Sequence, residues 1–137
     1  MVSGAFPAEA FHMITQIGLH TVVVKDLNKA LKFYRDKLGL RVVFFNKKLD
    51  WLTFDGGNCA LSLTVPWNKA SKQLVGVETG ISFYVDDCEK TYKELKKKKV
   101  RFHFAPRREK WGGILANFAD PYGNKFFLLQ MPSDFKR

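Results

Sequence analysis

Few residues of this 137-residue chain could do chemistry by type and spacing: three histidines (His12, His20, His103), two cysteines (Cys59, Cys88) and scattered carboxylates. His20 lies in the valine-rich run "IGLHTVVVKD". Its imidazole would suit Zn, Ni, Fe or Mn if other ligands converged on it. Which way it points depends on strand register, because successive strand side chains face opposite sides. Cys88 follows Asp87 at a helix start, where a thiol can be acidified. Yet Cys88, Tyr92 and Leu95 recur on one helical face, which makes Cys88 a small core residue. Asp55 in "DGGN", and Asp120 with Asn124 in "DPYGN", read as turn residues. No carboxylate pair is placed as general acid and base, and no P-loop, nucleophile elbow or dinucleotide fingerprint occurs.

The elements that must position these groups follow from periodicity. Residues 17–24 read as a strand, Asp26 as a helix N-cap, and Leu27, Ala30, Leu31, Tyr34 and Leu38 as the buried stripe of a helix that stops at Gly39. Strands over residues 41–45, 50–54 and 59–65 complete a βαβββ module spanning about 17–65. Residues 66–79 lack periodicity and form a connector. The order then repeats over about 80–131, with a strand at 80–86, a cap at Asp87, a helix, and strands at 100–105, 113–118 and 125–131. The interval between Asp26 and Asp87 also pairs Val24 with Val85, Lys29 with Lys90 and Leu19 with Gly80. Such self-similarity points to a duplicated half-domain.

Composition limits the function classes. A chain of this length that is 46% hydrophobic buries one substantial core, so a single folded domain is expected. No apolar run reaches the roughly 20 residues needed to cross a bilayer, and the first dozen residues have no secretory pattern. With two cysteines only, a cytoplasmic protein is expected, without membrane association. The formal charge of +10 attracts anions. However, the densest basic run, "KELKKKKVRF", falls where a helix ends and complements its dipole. No zinc-finger spacing, KH loop or RNP1 motif accompanies it, so nucleic acid is not the expected partner.

Three stretches carry a resemblance: "KDLNKALKFYRDKLGL", "GISFYVDDCEKTYKEL" and "WGGILANFADPYGNKFFLLQ". Together they resemble the vicinal oxygen chelate superfamily, which includes glyoxalase I, bleomycin resistance proteins and extradiol dioxygenases. The resemblance implies an α+β fold in which two βαβββ modules form a curved, cup-shaped mixed sheet, with helices on its outer face and the ligand inside. It implies one such domain over 14–137, preceded by an extension at 1–13; if that extension is ordered, its Phe6 and Phe11 are expected to dock on the domain or on a partner subunit. Metal-dependent members place a His on the first strand of each module and a Glu or similar ligand on the last. Counting seven residues back from each capping Asp gives Leu19 and Gly80, while the last-strand positions fall on Ser62 and Phe127. None is a metal ligand of the usual kind. No metal and no cofactor are therefore expected, and His20 is left as the one weak candidate.

Strand alternation lists the lining of the implied cup: Leu19 and Thr21 on the first strand, Ser62 on the fourth, Gly80, Ser82 and Tyr84 on the mid-chain strand, and Lys125, Phe127 and Leu129 on the last. Trp51 and Trp111 offer stacking faces, and Lys125 can meet an anion. The expected function is a metal-independent small-molecule-binding protein, acting as a homodimer, with a neutral or anionic and partly aromatic ligand. The alternatives are a metal-dependent lyase, isomerase or dioxygenase of the same superfamily, with enzymatic activity then glyoxalase- or dioxygenase-like, and a basic nucleic-acid-binding protein.

Overall fold

The computed structural model describes residues 11–135. The docking expected of Phe6, and most of the 1–13 extension, lie outside the described residues. The first module runs β1 (Leu19–Val23), α1 (Leu27–Leu31), β2 (Val42–Asn46), β3 (Trp51–Asp55) and β4 (Ala60–Thr64). The second runs β5 (Glu78–Tyr84), α2 (Cys88–Lys97), β6 (Arg101–Arg108), β7 (Ile114–Ala119) and β8 (Lys125–Gln130). Each module builds its own four-stranded mixed sheet, ordered β1-β4-β3-β2 and β5-β8-β7-β6. In each, the first and last strands pair in parallel and the other pairs are antiparallel. This is the α+β, twice-βαβββ architecture expected. Among the described residues no helix is long and apolar enough to cross a membrane.

Both helices start where an Asp side chain satisfies an otherwise orphaned N–H. Asp26 accepts from the Lys29 amide and Asp87 from the Lys90 amide, each at 3.0 Å. After Leu31, α1 widens into π-helical turns over Lys32–Lys37, and the Leu38 amide reaches the Phe33 carbonyl at 3.1 Å. Here the consecutive Phe33 and Tyr34 are both buried.

One core joins the modules. Val22, Leu52, Phe54, Leu61 and Leu63 of the first sheet, and Ala116, Phe118, Phe126 and Leu128 of the second, share it with Leu27 and Ala30 of α1 and Leu95 of α2. Tyr34 stands at the junction, its ring 5.7 Å from Phe54 and 6.0 Å from Phe126, its hydroxyl donating to Asp120 Oδ2 at 2.7 Å. Asn124 Nδ2 donates to the Val23 carbonyl at 3.0 Å. The "DPYGN" segment is thus more than a turn, for Asp120 and Asn124 fasten the second module to the first.

Several element bounds differ from the periodicity reading, with β6 running on to Arg108, three residues past the predicted strand. The connector contains a 3-10 turn at Ala70–Leu74, and β5 begins at Glu78, two residues before the predicted strand. The cause is a bulge between Glu78 and Ser82. Thr79 Oγ1 stitches it, donating to the Lys125 carbonyl at 2.7 Å and accepting from the Ile81 amide at 3.1 Å, while Gly80 takes φ +75°.

Candidate functional site

Since one face of each sheet enters the shared core, the opposite face carries the residues that would line a cup. In the first sheet, register places Leu19 beside Ala60 and Asp55, Thr21 beside Ser62 and Thr53, and Val23 beside Thr64 and Trp51. Directly opposite residues of neighbouring strands share a face. His20 is opposite Leu61 and shares the alternate, core-side parity with Val22, but lies exposed on an edge strand. It does not stand where Leu19 stands. His12 precedes β1, and His103 sits at a β6 bulge. Among the described residues no group of three or more His, Cys, Asp or Glu side chains could hold a metal.

In the second sheet one row holds Glu78, Lys125, Ala119 and Arg101. The next holds Ser82, Phe127, Asn117 and Phe104, and a third holds Tyr84, Leu129, Leu115 and Arg107. The Phe104 and Phe127 rings are 6.4 Å apart, and the Arg107 guanidinium lies 3.9 Å above Phe104. Tyr84 is 49% exposed, while Lys125, Phe127 and Leu129 are half-buried. Ser62 is fully buried, and its hydroxyl is bonded to that of Thr53 at 2.8 Å. Trp51 is half-buried at the Val23 and Thr64 end of the first sheet. Trp111 lies in the hairpin between β6 and β7, with its indole over Gly113, where any Cβ would strike the ring.

The bulge changes which residue occupies the first-strand position. Leu19 faces Ala60, two residues before Ser62, whereas the residue facing Lys125, two before Phe127, is Glu78. Glu78, not Gly80, is therefore the counterpart of Leu19, and Gly80 sits in the bulge itself. Counting seven residues back from Asp87 missed this because the count assumes a regular strand. The available signal was Gly80, since an isolated glycine in a strand pattern marks a bulge. Glu78 Oε2 accepts from Asn117 Nδ2 at 3.0 Å, and Oε1 accepts from the Gly80 amide at 3.3 Å. Asn117 is 1% exposed, and its Oδ1 accepts no hydrogen bond among the described residues. Sequence reasoning named neither Glu78 nor Asn117.

The strand positions that the resemblance would give to metal ligands hold Leu19, Ser62 and Phe127, with Glu78 in the register place of the fourth. One carboxylate, one hydroxyl already bonded to Thr53 and two apolar side chains do not make the nitrogen and oxygen donor set that Zn, Ni, Fe or Mn requires. Burial disfavours ionisation of two further groups, Cys88 and Tyr34. Cys88 lies in the core with its thiol pushed up to about 11 by burial, and further by Glu89 and Asp87. Burial, then Asp120, holds the Tyr34 hydroxyl well above the ordinary tyrosine range. A cleft of about 200 Å³ opens between Leu38, Leu40, Leu95 and Phe83. It lies on the helix side of the second sheet and brings no set of polar groups together.

Residues 14–128 match the family described as the Glyoxalase/Bleomycin resistance protein/Dioxygenase superfamily. The structure is similar to that of a member of this superfamily from Sphaerobacter thermophilus DSM 20745, with TM-score 0.79 and 35% identity, covering 88% of this chain and all of the other. It is also similar to TnmS3, an antibiotic binding protein from Streptomyces sp. CB03234, with TM-score 0.75 and 26% identity, covering 90% of this chain and all of that one. The uncharacterized protein YraH of Bacillus subtilis (strain 168) is 28% identical over 122 residues, which is 80% of this chain and 94% of YraH.

Proposed function

The chain belongs to the Glyoxalase/Bleomycin resistance protein/Dioxygenase superfamily, and from this membership we propose that it is a metal-independent small-molecule-binding protein whose ligand is neutral or anionic and partly aromatic. The observation that carries this reading is the residue set at the ligand positions: Leu19 and Phe127 have no donor atom, and Ser62 is bonded to Thr53. The antibiotic-binding TnmS3, of the same fold, supports a binding role for such a cup. Ligand character follows from the lining. Phe104, Phe127 and Trp51 offer ring faces, Lys125 and Arg107 stand on the same faces, and the chain carries a formal charge of +10.

A homodimer belongs to the same reading. The two half-cups of one chain lie on separate sheets, and each turns its lining away from the core. Leu19 is 45% exposed and Phe44, on the same face as Thr53, equally so. A second copy that brings its second module over the first module of its partner closes both cups and covers these side chains.

Elemental analysis of protein purified without chelators tests the metal-independent reading. Less than about a tenth of an equivalent of transition metal per chain is expected, because one carboxylate does not retain such an ion. Near one equivalent would overturn the reading and turn attention to lyase or dioxygenase turnover.

A further inference from the structure

The hydrogen bond between Asn117 and Glu78 lies outside the backbone ladder of the sheet. Glu78 is exposed, and an exposed carboxylate is hydrated without help from a buried amide. Asn117 nevertheless commits its Nδ2 to Glu78 Oε2 and leaves Oδ1 without a donor among the described residues. A buried acceptor without a partner costs free energy, and native folds rarely keep one without a use for it. Turning the amide over would not remove the cost, since Oδ1 would then face the carboxylate, acceptor against acceptor. The arrangement makes sense as a device for holding a carboxylate in place. With Gly80 donating to Oε1, both carboxylate oxygens are anchored, and each keeps capacity for another donor.

We propose that Glu78, positioned by Asn117, selects the ligand of this cup by accepting a hydrogen bond from an N–H or O–H group at the edge of an aromatic ring system seated against Phe104 and Phe127. The inference rests on the small-molecule-binding reading above and names the ligand chemistry of that site. The register supports it, because Asn117, Phe127 and Phe104 form one row and Glu78 stands one step along the same face, opposite Lys125. A ring lying on the phenylalanines would bring its edge towards the carboxylate. A site built around an acceptor discriminates strongly, because an analogue lacking the donor displaces water from the carboxylate and leaves its remaining acceptor capacity unmet. A ring bearing an ether or carboxylate at that edge would be rejected more strongly still. The ligand is accordingly an aromatic with at least one such donor, and any negative charge it carries lies elsewhere on it.

Indole and 1-methylindole test this, since they share a ring system and differ in the N–H. Isothermal titration of the full chain is expected to show indole bound about tenfold or more tightly than 1-methylindole, as a hydrogen bond to a charged group implies. Glu78→Ala should abolish that preference, weakening indole and relieving the penalty that the carboxylate imposes on 1-methylindole. Glu78→Gln keeps the side-chain shape, guards against a folding artefact, and should narrow the preference. Asn117→Leu should reduce the same ratio, which a merely structural role would not move in isolation. Equal affinity for both probes, or a preference that survives Glu78→Ala, would overturn this inference while the binding reading stands. Failure of both probes to bind at millimolar concentration would overturn the aromatic cup and this inference with it.

Discussion

Tyr34 links three parts of the molecule, with its ring between Phe54 and Phe126 and its hydroxyl on Asp120. Asp120 Oδ2 also accepts from Asn124 Nδ2 at 3.0 Å, so Tyr34→Phe removes one of two donors and not the whole network. The expected loss is about 1.5–3 kcal/mol in urea unfolding, the range for a hydrogen bond to a charged group. The pH dependence has a definite sign. An unfolded tyrosine ionises near pH 10, whereas buried Tyr34 keeps its proton to higher pH. Its contribution is therefore fully present below about pH 10 and is lost as pH rises towards its folded value. The stability gap between the wild type and Tyr34→Phe should shrink above about pH 10, and a constant gap would count against this assignment. At the sequence level Asp120 and Asn124 were legible as turn residues only. Their partners, Tyr34 and Val23, lie 86 and 101 residues away, and local pattern carries no information about contacts of that span.

Among the elements, β1 and β4 pair without interruption, so strand parity located Leu19, Thr21 and Ser62 on one face and His20 on the other from sequence alone. Strand β5 departs from that regularity, and there the internal repeat misled: Asp26 and Asp87 match as caps, yet Leu19 matches Glu78 and not Gly80. The irregularity adds two residues to β5, which preserves parity but displaces everything before Ser82 by one row, so Glu78 and not Gly80 stands opposite Lys125. The bulge depends on Gly80 for its backbone. At φ +75° a side chain is strained, although a Cβ there would meet nothing within 4 Å. The cost of Gly80→Ala is therefore conformational alone, about 1–2 kcal/mol. It should appear as a lower urea midpoint with unchanged slope. An unaltered midpoint would mean that β5 can shed the bulge, and Glu78 would then leave its place opposite Lys125.

For the molecule as a whole, the number of modules, their order and the single core were legible in the repeat of caps and apolar stripes. How the modules meet was not, because that depends on tertiary contacts made by Tyr34, Tyr122 and Asn124, whose hydroxyls and amide bridge them. The resulting arrangement buries the core-side faces of both sheets and leaves apolar side chains on the others. Ahead of β1, Phe11, Met13, Ile14 and Ile17 are each at least 74% exposed. Apolar surface of this extent on one chain favours association, while two chains of charge +10 repel each other at long range. The opposition makes a prediction specific to the dimer. Sedimentation should give twice the 15.8 kDa chain mass, with association strengthening as salt is raised from about 0.05 to 0.5 M, because screening removes repulsion and leaves apolar contact intact. Leu19→Asp, which places a charge on the face to be covered, should yield a monomer of undiminished secondary structure. Association that weakens with salt would mean instead that opposite charges make the contact, and a dimer that persists in Leu19→Asp would place the interface away from the first half-cup.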